Sequence, residues 1–127
     1  MIKRYKRFLE SKKKFPDIRK IEMDGYQIIV GKDAKSNDYL TFNIAKDEDI
    51  WMHVKGSPGS HVIIIINDKL PTNEILKYAA ELAKKNSKSK DEKSTVIYCQ
   101  RKFVKKESGM NDGQVKVDHI NSYEIIV

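Results

Sequence analysis

The segment that most constrains the fold is DIWMHVKGSPGSHVIIII, residues 49–66, in which two apolar-rich runs flank a Gly-Ser-Pro-Gly bend. Glycines permit backbone conformations that other residues avoid, and Pro58 stiffens the bend. The pattern therefore predicts two antiparallel strands, over residues 50–55 and 60–66. A tryptophan and two histidines around so tight a bend also make the segment a candidate functional site.

The alternation of the first strand separates two sets of side chains, because successive strand residues point to opposite faces. An apolar set predicts the core face: Ile50, Met52 and Val54. The opposite set could stack on a nucleobase and bind a phosphate: Trp51, His53 and Lys55. Backbone amides of the bend could bind an anion as well, at Ser57, Gly59 and Ser60.

The register of this hairpin decides whether the two histidines meet. If GSPG alone forms the loop, Lys55 lies opposite Ser60, and His53 lies near Val62. Regular geometry then sends His61 to the core face, opposite to His53. A bulge at Gly59 would reverse this arrangement.

The remaining pattern predicts a single α+β domain over residues 1–127, with a mostly antiparallel sheet. The clearest helix covers about residues 73–86, capped by Thr72 or Asn73, with lysines at its carboxyl end. The other predicted elements are a basic amino-terminal helix or arm (1–15), a hairpin around Asp24-Gly25 closed by Gly31, a short helix within 33–45 capped by Ser36 or Asn37, a solvated loop (87–94), and strands within 94–106, 114–119 and 122–127.

The positive charge is concentrated in two segments. Residues 1–20 and residues 84–106 each contain nine lysines or arginines against two acidic residues, although the net charge of the chain is only +7. Such clustering is typical of a protein that binds a polyanion. A compositional preference for lysine is the alternative, since the chain has 21 lysines and only 4 arginines.

The single cysteine and the amino terminus indicate the compartment. Cys99 has no partner for an internal disulfide, and its apolar neighbours predict a buried, inert thiol in a reducing environment. Residues 1–15 lack the apolar core of a secretory signal, and the run VIIII is too short to cross a bilayer. We therefore expect a cytoplasmic protein with no membrane partner.

Three other interpretations of residues 49–66 compete with RNA binding. A zinc site needs three or four converging ligands, and the spacing of histidines here supplies no such set, so we expect neither metal nor cofactor. General acid–base catalysis could use His53 or His61, with Asp49 or Asp38 to orient the ring. In the purely structural alternative, Trp51 belongs to the core and the histidines hydrogen-bond the turn.

Four segments together resemble the NFACT-R domain of ribosome quality-control factors of the RqcH and NEMF type. They are DAKSNDYLTFNIA, DIWMHVKGSPGSHVII, the helix with YAAELA, and VIYCQRKFVKKESG, within about residues 20–118. The resemblance implies an RNA-associated α+β module. Because residues 1–20 contain no segment similar to the other domains of those factors, we expect the stand-alone form of the domain.

The resemblance and the strand pattern together predict one set of RNA-binding residues: Asn37, Asp38, Trp51, His53, Lys55, Ser57, Gly59, Ser60, His61, Arg101, Lys102 and Lys105. Lys106 matches the basic strand of the family more loosely. The expected partner is tRNA or rRNA, with the ribosome or another RNA-metabolism protein as a further partner and no specificity for DNA. An RNA-processing or RNA-modifying enzyme is the first alternative, and a protein-interaction module on the ribosome is the second. An enzyme would place a histidine and a carboxylate together in a concave pocket, whereas a binding module could leave Trp51 and His53 on an open basic face.

Overall fold

The computed structural model describes residues 17–127, so the predicted basic helix or arm over 1–15 lies outside the described residues. Those residues form an α+β fold around a six-stranded antiparallel sheet of order β1-β2-β4-β3-β5-β8, which confirms the predicted fold class. The strands of the sheet are β1 (Ile18–Met23), β2 (Tyr26–Gly31), β3 (Ile50–Val54), β4 (Val62–Ile65), β5 (Thr95–Gln100) and β8 (Tyr123–Ile126). A separate two-stranded ribbon consists of β6 (Val104–Lys105) and β7 (Lys116–Val117).

Two helices pack on the sheet, one on each face. The longer helix, α2 (Asn73–Lys85), begins where predicted, because the Thr72 hydroxyl accepts a hydrogen bond from the Ile75 amide at 3.2 Å. The shorter helix, α1 (Ala34–Tyr39), continues into a π-helical turn over Leu40–Ile44. No helix of the described residues is long and apolar enough to span a membrane.

The predicted cap of α1 is wrong. Ser36 and Asn37 both lie inside the helix and are buried, and the cap is Asp33. Its Oδ1 accepts a hydrogen bond from the Ser36 amide at 2.7 Å. This interaction lowers the pKa of the Asp33 carboxyl, because it stabilises the charged form.

The β1–β2 hairpin turns at Asp24 and Gly25, as predicted. Both residues have positive φ, 51° and 83°, which matches the right-handed twist of the flanking strands. Asparagine, aspartate and glycine are the residues that tolerate this conformation, so the sequence signal has a direct physical cause.

The sheet is covered on both faces, which explains the unbroken apolar run of β4. One face packs on α2 and includes Met52, Val54 and Ile64. The other packs on α1 and the ribbon, and it includes Trp51 and Ile63. A strand that is buried on both faces needs apolar residues at every position rather than at alternate ones.

The predicted register between β3 and β4 is wrong by one residue. Met52 pairs with Val62, so His53 lies beside His61 on one face and the two ring centroids are 5.6 Å apart. The cause is a longer connection than GSPG, spanning residues 55–61. This connection forms a bridge between Gly59 and Ser87, and the Ser60 amide donates to the Asn86 carbonyl at 3.0 Å.

Asp49 holds the start of β3 to the end of β4. This fully buried carboxylate accepts the Lys46 amide through Oδ2 and the Ile66 amide through Oδ1, both at 2.8 Å. The Asp49 carbonyl accepts the Arg101 amide at 2.7 Å, which adds the end of β5 to the same junction. The position of Asp49 is therefore that of a structural clamp.

Replacing this clamp should destabilise the fold. Asp49→Ala leaves two buried amides without acceptors, and we expect the free energy of unfolding to fall by about 2–4 kcal/mol. Equilibrium urea unfolding measures this, with the exposed neighbour Asp47→Ala as the control. Equal stability of the two variants would contradict the assignment.

Candidate nucleic-acid interface

A cleft of about 980 Å³ opens on the face of the sheet that carries α1 and the ribbon. Five parts of the chain line it: residues 32–37 at the start of α1, β3 with its connection to β4, residues 86–88 after α2, Ile97 of β5, and residues 110–117. Seven of the predicted RNA-binding residues line this one cleft: Asn37, Trp51, His53, Lys55, Gly59, Ser60 and His61. The fold thus brings together most of residues 51–61 with a helix terminus distant in sequence.

The His61 side chain is buried, with 2% of its surface exposed. Its ring contacts the Thr41 hydroxyl through Nδ1 at 2.8 Å and the Gly113 carbonyl through Nε2 at 3.2 Å. A carbonyl only accepts, so Nε2 is the protonated nitrogen and Nδ1 accepts from Thr41. Burial, and to a smaller extent the nearby His53, lowers the pKa of His61 to about 3. The ring is therefore neutral at physiological pH.

Trp51 is a core residue rather than an open stacking surface, since it is only 2% exposed. Its ring stacks on His53, with centroids 6.0 Å apart and an interplanar angle of 14°. Its indole N–H is buried without a hydrogen-bond partner among residues 17–127. The aromatic ring nearer to solvent is His53, which is partly exposed and is supported from below by the tryptophan.

The pKa of His53 is also lowered. Burial of the imidazole is the main cause, and hydrogen bonding with the backbone of Val54 and Gly59 opposes it in part. The ring at the cleft surface is therefore neutral near pH 7, which suits stacking on a base more than an ionic contact.

Asn37 and two glycines fix the shape of the cleft. The Asn37 Oδ1 accepts the His61 amide at 3.0 Å, and its Nδ2 lies 3.5 Å from the Gly59 carbonyl. A Cβ on Gly31 would lie 2.2 Å from that Oδ1, and a Cβ on Gly59 would lie 2.7 Å from the Ser87 Cβ. These close approaches explain why both positions require glycine.

The bend offers fewer free amides to an anion than the sequence suggests. The amides of Ser60 and His61 donate to Asn86 and Asn37, and the Lys55 amide donates to the Thr95 carbonyl at 2.8 Å. Ser57 lies in the same connection and is partly exposed, but it does not line the cleft.

Of the other predicted cations, Arg101 and Lys102 do not line the cleft and are paired with acidic residues. Arg101 contacts Asp47 at 3.5 Å, and Lys102 contacts Glu48 at 3.4 Å. Lys105 is exposed on β6. Lys55 does line the cleft, where it forms an exposed ion pair with Glu124 at 3.0 Å.

Sequence reasoning missed two lysines at the cleft. Lys32 follows β2 and Lys88 follows α2, and both are exposed and line the cleft without an ion pair to any described residue. The position of Lys88 depends on the Gly59–Ser87 bridge, which attaches the end of α2 to the bend. Such a tertiary contact leaves no periodic signal in the sequence.

The histidines lie in a concave cleft, but the structure does not bring Asp49 to them. Asp49 does not line the cleft, and both its carboxylate oxygens accept backbone amides. Both ring nitrogens of His61 have hydrogen-bond partners within the fold. Over residues 17–127, no three histidine, cysteine or acidic side chains are grouped closely enough to hold a metal ion.

Comparison with known proteins identifies the family of the domain. Residues 14–119 match the family model of the NFACT protein RNA binding domain. The chain belongs to this family. Its RqcH-type relatives include "Rqc2 homolog RqcH" of Bacillus subtilis (strain 168), 40% identical over 95 residues, and the protein of the same name from Streptococcus suis (strain 05ZYH33), 47% identical over 73 residues.

These matches cover 74% and 57% of this chain but only 16% and 13% of the relatives. A solved structure of the C-terminal part of the fibronectin/fibrinogen-binding protein from Streptococcus suis superposes with a TM-score of 0.78 at 36% identity. The superposition covers 86% of this chain and 43% of that one. The shared unit is thus an RNA-binding domain within much longer proteins.

Cys99 is buried, as predicted. Burial raises the pKa of its thiol to about 11, so the reactive thiolate is scarce at neutral pH.

The neutral, buried His61 should make stability depend on pH. Its folded pKa of about 3 lies below the unfolded value near 6.5, so its contribution is fully present above pH 6.5 and is lost as pH falls. We expect wild type to lose roughly 2–3 kcal/mol more than His61→Gln between pH 7 and pH 4.5. Urea unfolding at both values measures this, and parallel losses in the two proteins would contradict it.

Proposed function

We propose that this domain binds unpaired segments of tRNA or rRNA in the cleft, as a non-catalytic module in translation and ribosome quality control. The observation that carries the proposal is the His53 ring, which stands on Trp51 inside a cleft bordered by Lys32, Lys55 and Lys88. The family is an RNA-binding domain, and the named relatives are RqcH proteins.

The shape of the cleft favours a single strand or a displaced nucleotide over a regular duplex. A volume of about 980 Å³ suits one or two nucleotides, and five separate parts of the chain line it. Sequence-specific RNA recognition generally uses such unpaired bases, which stack on aromatic or imidazole rings. In this account the stacking ring is His53, and Trp51 supports it.

The lysines at the cleft supply attraction to phosphate. Lys32 and Lys88 come from different segments that line the cleft, and both can contact phosphate there. Lys55 is a third contact, although its ion pair with Glu124 reduces its attraction to phosphate. Exposed ion pairs of this kind are worth about 1 kcal/mol or less, so this reduction is small.

The geometry supports binding over catalysis, because the groups that could exchange protons are occupied. His61 is neutral with both nitrogens hydrogen-bonded, and the carboxylate of Asp49 is bound to backbone amides. The Asp49 carboxylate is therefore not available to orient the His53 ring.

RNA binding across a salt series tests the proposal. Fluorescent tRNA, an rRNA hairpin and an unstructured oligonucleotide serve as ligands for wild type and a Lys32→Gln/Lys88→Gln variant. We expect a loss of about tenfold or more in affinity and a shallower salt dependence, since each phosphate contact to a single strand contributes roughly 0.7 to the slope. Lys77→Gln, on the exposed side of α2, gives the effect of removing one positive charge outside the cleft, and the double variant is compared with it per charge removed.

His53→Ala separates stacking from charge in the same assay. This variant should bind RNA about 1–3 kcal/mol more weakly than wild type. The salt slope should stay unchanged, because a neutral ring releases no counterions. If His53→Ala binds RNA as tightly as wild type, and Lys32→Gln/Lys88→Gln loses no more affinity per charge than Lys77→Gln, the RNA binds elsewhere. A normal affinity of His53→Gln together with loss of a measured turnover would favour the enzyme.

A further inference from the structure

Lys106 and Asp38 form an ion pair unlike the others in the described part of the chain. Their Nζ and Oδ2 atoms are 2.9 Å apart, and the two side chains are only 28% and 20% exposed. In every other ion pair within residues 17–127, at least one side chain is more than half exposed. A pair shielded from solvent is stronger and more sensitive to geometry than a surface pair.

The Lys106 ammonium is engaged within the fold. Besides its ion pair with Asp38, it donates hydrogen bonds to the carbonyl of Asn111 and to that of Gln114, the latter at 2.8 Å. The cation thus contacts one carboxylate and two carbonyls. We therefore look for the role of Lys106 in what these contacts hold together.

They hold a loop that forms one wall of the cleft. Residues 106–115, here called the flap, connect β6 to β7, and Met110, Gly113, Gln114 and Val115 line the cleft. Apart from the Lys106 bonds, a second anchor joins the Gly113 carbonyl to His61.

The flap also touches α1 directly. A Cβ on Gly113 would lie 3.3 Å from the Cβ of Ala34, so the loop backbone passes close to the start of the helix. Asp38 lies on the same helix. The ion pair and the Gly113 contact thus attach the flap to α1 at two points.

We propose that Asp38 and Lys106 are positioning residues, which fix the flap against α1 and thereby set the width of the RNA cleft without touching RNA. This inference rests on the proposed function of the cleft. The sequence instead predicts direct contact with RNA for Asp38 and Lys105 and, more loosely, for Lys106.

Asp38→Asn distinguishes positioning from simple electrostatics by the sign of its effect. The substitution removes a negative charge, so an electrostatic account predicts tighter binding of a polyanion. If the pair positions the flap, affinity should instead fall by about threefold or more, with an unchanged salt slope. Amide hydrogen exchange within residues 109–114 should become faster in the free protein.

Substitutions of the two adjacent lysines provide the matched comparison. Lys106→Met should weaken RNA binding without altering the salt slope, because no phosphate contact is lost. Lys105→Met removes the same charge from an exposed side chain, and it should leave flap exchange as in wild type. Lys106→Arg, which keeps the charge and several donors, should recover most of the affinity lost in Lys106→Met.

Tighter RNA binding by Asp38→Asn, or flap exchange unchanged in both Asp38→Asn and Lys106→Met, would overturn the positioning role. Thermal unfolding ensures that folded protein is compared, and the exchange data from Asp38→Asn decide the question if Lys106→Met does not fold. Failure of wild type to bind RNA while flap exchange responds as expected would refute the proposed function of the cleft. The Asp38–Lys106 pair would then keep its role in attaching the flap to α1, without a role in RNA binding.

Discussion

The pairing of Met52 with Val62 determines which side chains reach the cleft. With this register, Trp51, His53 and His61 share one face of the sheet, and Met52 and Val54 pack on α2 from the other. A slip of one residue would exchange the two sets, since side chains alternate across a strand. The register is maintained by contacts at both ends of the hairpin, the Asp49 carboxylate at one and the Gly59–Ser87 bridge at the other.

His61 connects this register to the rest of the site. Its backbone amide binds Asn37, its carbonyl accepts the Gly31 amide at 3.1 Å, and its ring joins Thr41 to Gly113. Every polar group of the residue is thus satisfied, as a buried polar side chain requires. One histidine thereby links the sheet, α1 and the flap, and its neutrality follows from the burial that this role imposes.

The sequence predicts the parts of this protein that depend on local chemistry. The Asp24-Gly25 hairpin, the Thr72 cap with its helix and the burial of Cys99 each follow from a few neighbouring residues. The sequence fails where a tertiary contact decides. The connection over 55–61 is longer than predicted because it pairs with the end of α2. Trp51 is buried because α1 and the ribbon cover its face of the sheet.

Charge illustrates the same limit. The basic clusters along the chain indicate a polyanion binder, yet Arg101, Lys102 and Lys106 are each committed to an acidic partner in the folded protein. Lys32 and Lys88 have no such partner among the described residues and both line the cleft, although Lys32 lies outside the basic clusters and Lys88 is one of many lysines within residues 84–106. Counting lysines therefore suggests the class of ligand but not the residues that contact it.

The most direct test of the central claim is a nuclear magnetic resonance titration of ¹⁵N-labelled protein with a short unstructured RNA. The account predicts that the largest shifts fall on the Trp51 indole N–H and on the amides of Gly59 and Gly113, while β1 and residues 101–103 change little. Shifts concentrated at Arg101 and Lys102, with the Trp51 indole unmoved, would contradict it and place the RNA at the opposite end of β5.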